Sequence, residues 1–190
     1  MQNEIKKMVE GNIETNNLVA EKFSAEIEKA ANIIVNALRN NKKILLAGNG
    51  GSASMSSHIA AEFTGRYKIE RKPLPAIALT TDLSAVTAIG NDYGFDAVFE
   101  RQIEALGNEG DVFIALSTSG NSQNLVKASA KARKIKINVI GLLGKDGGKM
   151  KNTSSVEIII PSHDTARIQE AHLMILHIIC ELVDNELYGK

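Results

Sequence analysis

Five short, almost wholly apolar runs constrain this chain more than any other feature, each followed by a polar loop and a stretch of helical periodicity. They span residues 43–47, 76–79, 112–116, 137–142 and 156–160. A strand without polar alternation has both faces buried, which places it in a parallel sheet covered by helices on each side. The regular alternation of strand with helix predicts the same thing: an α/β fold, a three-layer αβα sandwich around a mostly five-stranded parallel sheet.

The covering helices are predicted over 24–38, about 53–64, 96–106, 123–133 and 165–187, with a further one capped by Thr80-Thr81-Asp82 and running through Ile89. Ile27, Ala30, Ala31, Ile34 and Leu38 mark the buried stripe of the first. Residues 90–94 read as a turn and 66–75 as a charged loop. Residues 1–40 read as helix throughout. Their early turns are polar, with Val9, Ile13 and Val19 sparse among them, so this segment buries little by itself. It reads as an arm packing on another subunit, with a mobile tail as the alternative.

At 190 residues the chain suits one domain with a sizeable core. Its formal net charge of zero offers no basic footprint for nucleic acid. No apolar run is long enough to span a bilayer. Glu4, Lys6, Lys7 and Glu10 occupy the place of a signal core, so the expected compartment is the cytoplasm. A single cysteine excludes an internal disulfide framework, and Cys180, inside an apolar run, reads as a packed core thiol.

In a parallel sheet, ligands bind beyond the carboxyl ends of the strands. Two loops there are unusual. The third run ends in Ser117, Thr118, Ser119, Gly120, Asn121 and Ser122 before a helix begins. Hydroxyl donors at a helix N-terminus, with its free N–H groups and positive dipole end, make a cradle for a phosphate. The loop has neither the lysine of a P-loop nor the spacing of a dinucleotide fingerprint, so a small monophosphate suits it better than ATP or NAD. The competing reading is a polar turn that only caps the helix, since Ser and Asn favour caps. The first run ends in Gly48-Asn49-Gly50-Gly51-Ser52, where glycines let backbone approach a ligand.

Candidate chemistry sits on two helices. His58 and Glu62 are four residues apart and share a helix face. Such a pair holds a divalent metal, couples a base to an acid, or is an ordinary surface pair. The last helix carries Gln169, His172 and His177. His177 interrupts an apolar run and so needs a partner, whereas His172, near Arg167 and Glu170, reads as solvated. Gln169 and His177 stand about 80° apart around a helix and can flank one site. Spacing alone equally allows Gln169 with His172, and the apolar context favours His177.

Taken together, G-N-G-G-S at 48–52, H-I-A-A-E-F-T-G-R at 58–66, G-N-D-Y-G-F at 90–95, S-T-S-G-N-S at 117–122, G-K-D-G-G at 144–148 and R-I-Q-E-A-H at 167–172 resemble the sugar isomerase (SIS) domains, and within them the bacterial phosphoheptose isomerase family. The resemblance covers nearly the whole chain, as a single SIS domain over 1–190 with a flavodoxin-like sheet and an N-terminal helical arm over 1–40 in an oligomer interface. It implies interconversion of sedoheptulose 7-phosphate with D-glycero-D-manno-heptose 7-phosphate, the first step toward ADP-activated heptose for lipopolysaccharide or other surface glycans. It also implies a homotetramer with active sites shared between subunits, and one zinc ion per subunit.

Carried over by residue, His58, Glu62, Gln169 and His177 would be the zinc ligands. Ser117, Thr118, Ser119 and Ser122 would hold the phosphate. Asn49, Gly50, Gly51, Ser52, Asn91, Asp92, Glu62 and Gln169 would contact the rest of the substrate. Aldose–ketose isomerisation passes through an enediol and needs a base at carbon, a role that falls to Glu62, with His177 as acid/base on the other side. A metal would stabilise the developing oxyanion. A non-enzymatic branch of the same family binds the replication initiator; as a class it lacks the His/Glu pair that this chain keeps at His58 and Glu62. Amino-sugar phosphate isomerases and N-acetylmuramic acid phosphate lyases usually have longer chains.

Overall fold

The computed structural model describes residues 1–189. Strands β1 (Ile44–Gly48), β2 (Ala76–Ala78), β3 (Val112–Ser117), β4 (Asn138–Gly144) and β5 (Val156–Ile160) form one sheet in the order β2-β1-β3-β4-β5, all parallel. This is the flavodoxin-like order, with its reversal between β1 and β3.

The two faces of the sheet explain the unbroken apolar runs. On β1, Ile44 and Leu46 point into one core layer while Leu45 and Ala47 point into the other. On β3, Val112, Ile114 and Leu116 join the first layer, and Phe113 and Ala115 the second. The first layer is closed by α2 (Ser24–Arg39), α3 (Gly51–Thr64) and α7 (Thr165–Tyr188), the second by α5 (Val98–Leu106) and α6 (Gln123–Lys134). Cys180 is buried in the first layer, and burial pushes its thiol up to about 12, which leaves it inert at neutral pH.

The predicted strands and helices are present, with three local differences. Residues 1–40 are two helices, α1 (Gln2–Lys22) and α2, because the backbone turns at Phe23, φ −122° and ψ 8°. That turn sets Phe23 against the core and aims the α2 stripe of Ile27, Ala30, Ala31 and Ile34 at the sheet. The predicted turn at 90–94 is largely helix: α4 (Leu83–Tyr93) starts at Asp82, whose carboxylate accepts the Ala85 N–H, and ends only at Gly94, φ +84°. Gly90 costs a helix about 1 kcal/mol relative to Ala, too little to end one that is capped and braced. Helix α3 also begins two residues earlier than predicted, directly at the glycine loop.

Two helices are under-covered. α4 buries none of its residues completely, and Leu83 and Tyr93, with Phe95 just beyond, are 72%, 58% and 59% exposed. α1 buries only Thr15 and Val19 and leaves Ile5, Met8, Val9 and Ile13 in solvent. No helix of the described residues is long and apolar enough to cross a membrane.

Candidate active site

Gly48 at the end of β1 pairs with Leu116 near the end of β3, so the loops leaving these strands emerge side by side at the reversal of strand order. Open α/β sheets hold their ligands in this crevice. The loops are stitched together by Asn49 and Asn124, whose side-chain amides exchange two hydrogen bonds of 3.0 and 2.9 Å. Asn124 is buried, and its Oδ1 also accepts the Leu125 N–H at 2.9 Å. The sequence reading missed Asn124. The available signal was a polar residue on the same helical face as Leu125, Ala128 and Ala132, where only a satisfied amide is tolerated.

The hydroxyl loop is pre-shaped. Ser117 Oγ accepts the Gly120 N–H at 3.0 Å and lies 3.4 Å from Ser122 Oγ. Ser119 Oγ accepts the Asn121 N–H at 3.2 Å. Ser122 stands at the N-cap of α6 yet makes no side-chain capping bond, which argues against a loop that merely caps its helix. Gly120 adopts φ +63°, and a Cβ there would fall 1.9 Å from the Gly147 carbonyl oxygen. The loop therefore rests directly on the 145–150 turn, fixed by Met150 N–H to Gly120 O at 3.0 Å and Lys149 N–H to Asn121 Oδ1 at 3.1 Å. This is a structural role for the G-K-D-G-G motif.

The glycine loop leads straight into α3, with Gly50 at the N-cap and Ser52 buried behind it. Gln169, near the start of α7, lays its amide over Gly51. A Cβ at Gly51 would be 2.8 Å from Gln169 Oε1 and 2.9 Å from Nε2, so any larger residue there would displace the amide.

Further along α3, His58 Nε2 and Glu62 Oε1 are 3.0 Å apart. The His177 ring on α7 stands edge-on to His58, centroids 5.1 Å apart at 72°, and stacks on Tyr67 at 5.5 Å and 14°. His58, Glu62 and His177 each offer one ligand atom, all within 4.8 Å of one another. Two imidazoles and a carboxylate are the donors of zinc sites that keep an open position, so this set fits a zinc ion. Burial and the neighbouring His58 push the His177 imidazole below its ordinary 6.5, with Glu62 pulling the other way; it stays neutral at neutral pH and free to accept a proton.

The remaining expectations separate. Gln169 belongs with the glycine loop in this arrangement, about 12 Å along α7 from His177. Asn91 and Asp92 lie exposed on α4, bonded to each other at 2.9 Å, and the groove that Asp92 lines is walled by Ala85, Ile89, Arg101 and Gln102. Neither side chain makes a hydrogen bond to the two loops. His172, expected to be solvated, is fully buried: Nε2 donates to the Leu143 carbonyl at 2.9 Å, and burial lowers its imidazole to about 4. It sits on the stripe of Ile168, Ala171 and Ile175 that packs on the sheet, while His177 lies toward the half-open side facing α3.

Residues 12–144 match the family model described as SIS domain. A phosphoheptose isomerase of Aliarcobacter butzleri is 56% identical over 169 residues, 89% of each chain. One from Clostridium acetobutylicum is 49% identical over 192 residues, covering 100% of this chain and 98% of its own. The solved structure of a phosphoheptose isomerase from Neisseria gonorrhoeae superposes with a TM-score of 0.90 at 42% identity, covering 97% of this chain and 98% of that one.

Proposed function

The chain belongs to the SIS domain family and, within it, to the phosphoheptose isomerases, and from that premise we propose that it interconverts sedoheptulose 7-phosphate and D-glycero-D-manno-heptose 7-phosphate through an enediol. It is an aldose–ketose isomerase of heptose biosynthesis. The observation that carries the chemistry is the convergence of His58, Glu62 and His177 from two helices onto one spot.

In this reading Ser117, Thr118, Ser119 and Ser122 hold the phosphate against the α6 N-terminus, and Asn49, Gly50, Gly51 and Ser52 line the adjoining chain of hydroxyls. Glu62 is the base. His58 engages only Oε1, so Oε2 is the oxygen that takes the proton from C1 and returns it at C2. A carboxylate divided in this way can hold a metal through one oxygen and a proton through the other. Neutral His177, where its basic nitrogen is not taken by a metal, moves the second proton between O1 and O2. His58, Glu62 and His177, with Gln169 as the further ligand that the family resemblance implies, would hold a zinc ion, which would stabilise negative charge on those oxygens.

The assembly is proposed to be a homotetramer with shared sites. Asn91 and Asp92 make no hydrogen bond to either loop of their own chain, which suits residues that complete a neighbouring subunit's site. The bare faces of α1 and α4 supply contact area, as does an apolar groove of about 480 Å³ lined by Val19, Ile27, Met174, Ile178 and Leu182. The 1–40 arm would lie in that interface, and the proposed compartment is the cytoplasm.

Glu62→Gln tests the central assignment. It keeps size and shape but removes the base, so kcat should fall by about 10²–10⁴. A variant turning over at near-native rate would refute the role of Glu62.

A further inference from the structure

The charged loop after α3 is absorbed by none of this chemistry, yet it makes three separate contacts with α7. Tyr67 stacks on His177. Lys68 Nζ pairs with Glu181 at 2.7 Å and lies 5.5 Å from the centre of the Tyr67 ring. Arg71 Nε donates to Asp184 Oδ1 at 2.6 Å, and both of these side chains are 1% exposed. Positions 177, 181 and 184 follow one another at i, i+4 and i+7, a single stripe of α7.

Arg71 has a second set of partners. Its Nη2 donates to the Glu62 carbonyl at 2.9 Å and its Nη1 to the Phe63 carbonyl at 2.9 Å. These acceptors belong to the last turn of α3, where carbonyls lack helical partners and a cation is favoured. One guanidinium therefore grips the backbone of Glu62 and, through Asp184, the helix that carries His177 two turns upstream. The planar, five-donor fork of arginine can make both connections at once; a lysine ammonium cannot.

We propose that the segment Tyr67–Arg71 is a positioning strap, anchored by Arg71 between the Glu62 carbonyl and Asp184, that sets the spacing of the Glu62 carboxylate and the His177 imidazole. Arg71 fixes one helix end against the other, and Tyr67 fixes the plane of the imidazole. The inference rests on the proposed roles of Glu62 and His177.

Removing one partner of the buried pair would destabilise the protein, because Asp184 Oδ2 has no other partner to fall back on. The test is therefore the double variant Arg71→Met/Asp184→Ala, which removes both charges together, assayed beside Tyr67→Leu and Tyr67→Phe. In the double variant kcat should fall about 100-fold, the scale of an ångström-sized misplacement, with KM little changed because the phosphate loop is elsewhere. Tyr67→Leu should lose kcat in the same direction and Tyr67→Phe should restore it. Binding of Co²⁺ to the protein, followed by its visible absorption, should weaken about 10-fold or more in the double variant and in Tyr67→Leu. Native-like kcat and Co²⁺ affinity in a folded double variant would overturn the proposal. If the double variant does not fold, unchanged kcat and Co²⁺ affinity in Tyr67→Leu would overturn it equally. Wild-type protein inert on sedoheptulose 7-phosphate would instead refute the isomerase reading, and the Co²⁺ comparison would still decide the strap.

Discussion

His172 makes a quantitative prediction about acid stability. The imidazole is fully buried between α7 and the end of β4. Nε2 must carry the proton, because its partner is the Leu143 carbonyl, and Nδ1 has no partner. Protonation would place a charge in an apolar layer and turn Nδ1 into an unsatisfied donor, which is why the imidazole is lowered to about 4. In the unfolded chain it titrates near 6.5. Between these values the unfolded state binds a proton that the folded state does not. The stability tied to neutral His172 is therefore complete above about pH 6.5 and is lost as pH falls toward 4. A difference of about 2.5 pH units corresponds to about 3 kcal/mol, or roughly 6–12 °C in Tm for a chain of this size. His172→Gln supplies the control, since its amide N–H can reach the same carbonyl without titrating. Thermal unfolding of both proteins from pH 7.5 to 4.5 should show the wild type losing more stability, with most of the divergence below pH 6.5. Parallel curves, or a wild type that gains stability on acidification relative to His172→Gln, would refute the reasoning.

Other predictions concern the site. Ser119→Ala removes a hydroxyl from the loop that rests on the 145–150 turn and should raise KM several-fold while kcat at saturation changes little; the reverse pattern, read by steady-state kinetics, would remove the loop from phosphate binding. Chelation should abolish turnover by exposing His58, Glu62 and His177 without a metal, and added zinc should restore it. Full activity after chelation, with residual zinc measured by elemental analysis, would leave Glu62 and His177 as an acid/base pair working alone.

The sheet was legible because parallel strands buried on two faces leave unbroken apolar runs, and 43–47 and 112–116 are such runs. The two loops at the carboxyl ends of β1 and β3 were legible because each places glycine or hydroxyl residues directly after a strand. What escaped depended on tertiary contact. Local context points the wrong way for His172 and His177, since which of them is buried is decided by which face of α7 meets β4. Asn124 becomes informative only once Asn49 is seen across the crevice. The helix through Gly90 depends on α4 resting against α5, and the break at Phe23 depends on the core that this ring meets. The grip of Arg71 on Glu62 and Asp184 joins residues separated by more than a hundred positions, and in the sequence it looks like one charge in a charged loop.

The most direct test of the account is to incubate the purified protein with sedoheptulose 7-phosphate in D₂O and follow the products by NMR. The account predicts an aldoheptose 7-phosphate carrying solvent deuterium at C2, because Glu62 exchanges its proton with water during the lifetime of the enediol. Failure to form any aldose would contradict the isomerase assignment. Aldose that remains free of deuterium after prolonged cycling to equilibrium would contradict proton transfer by Glu62.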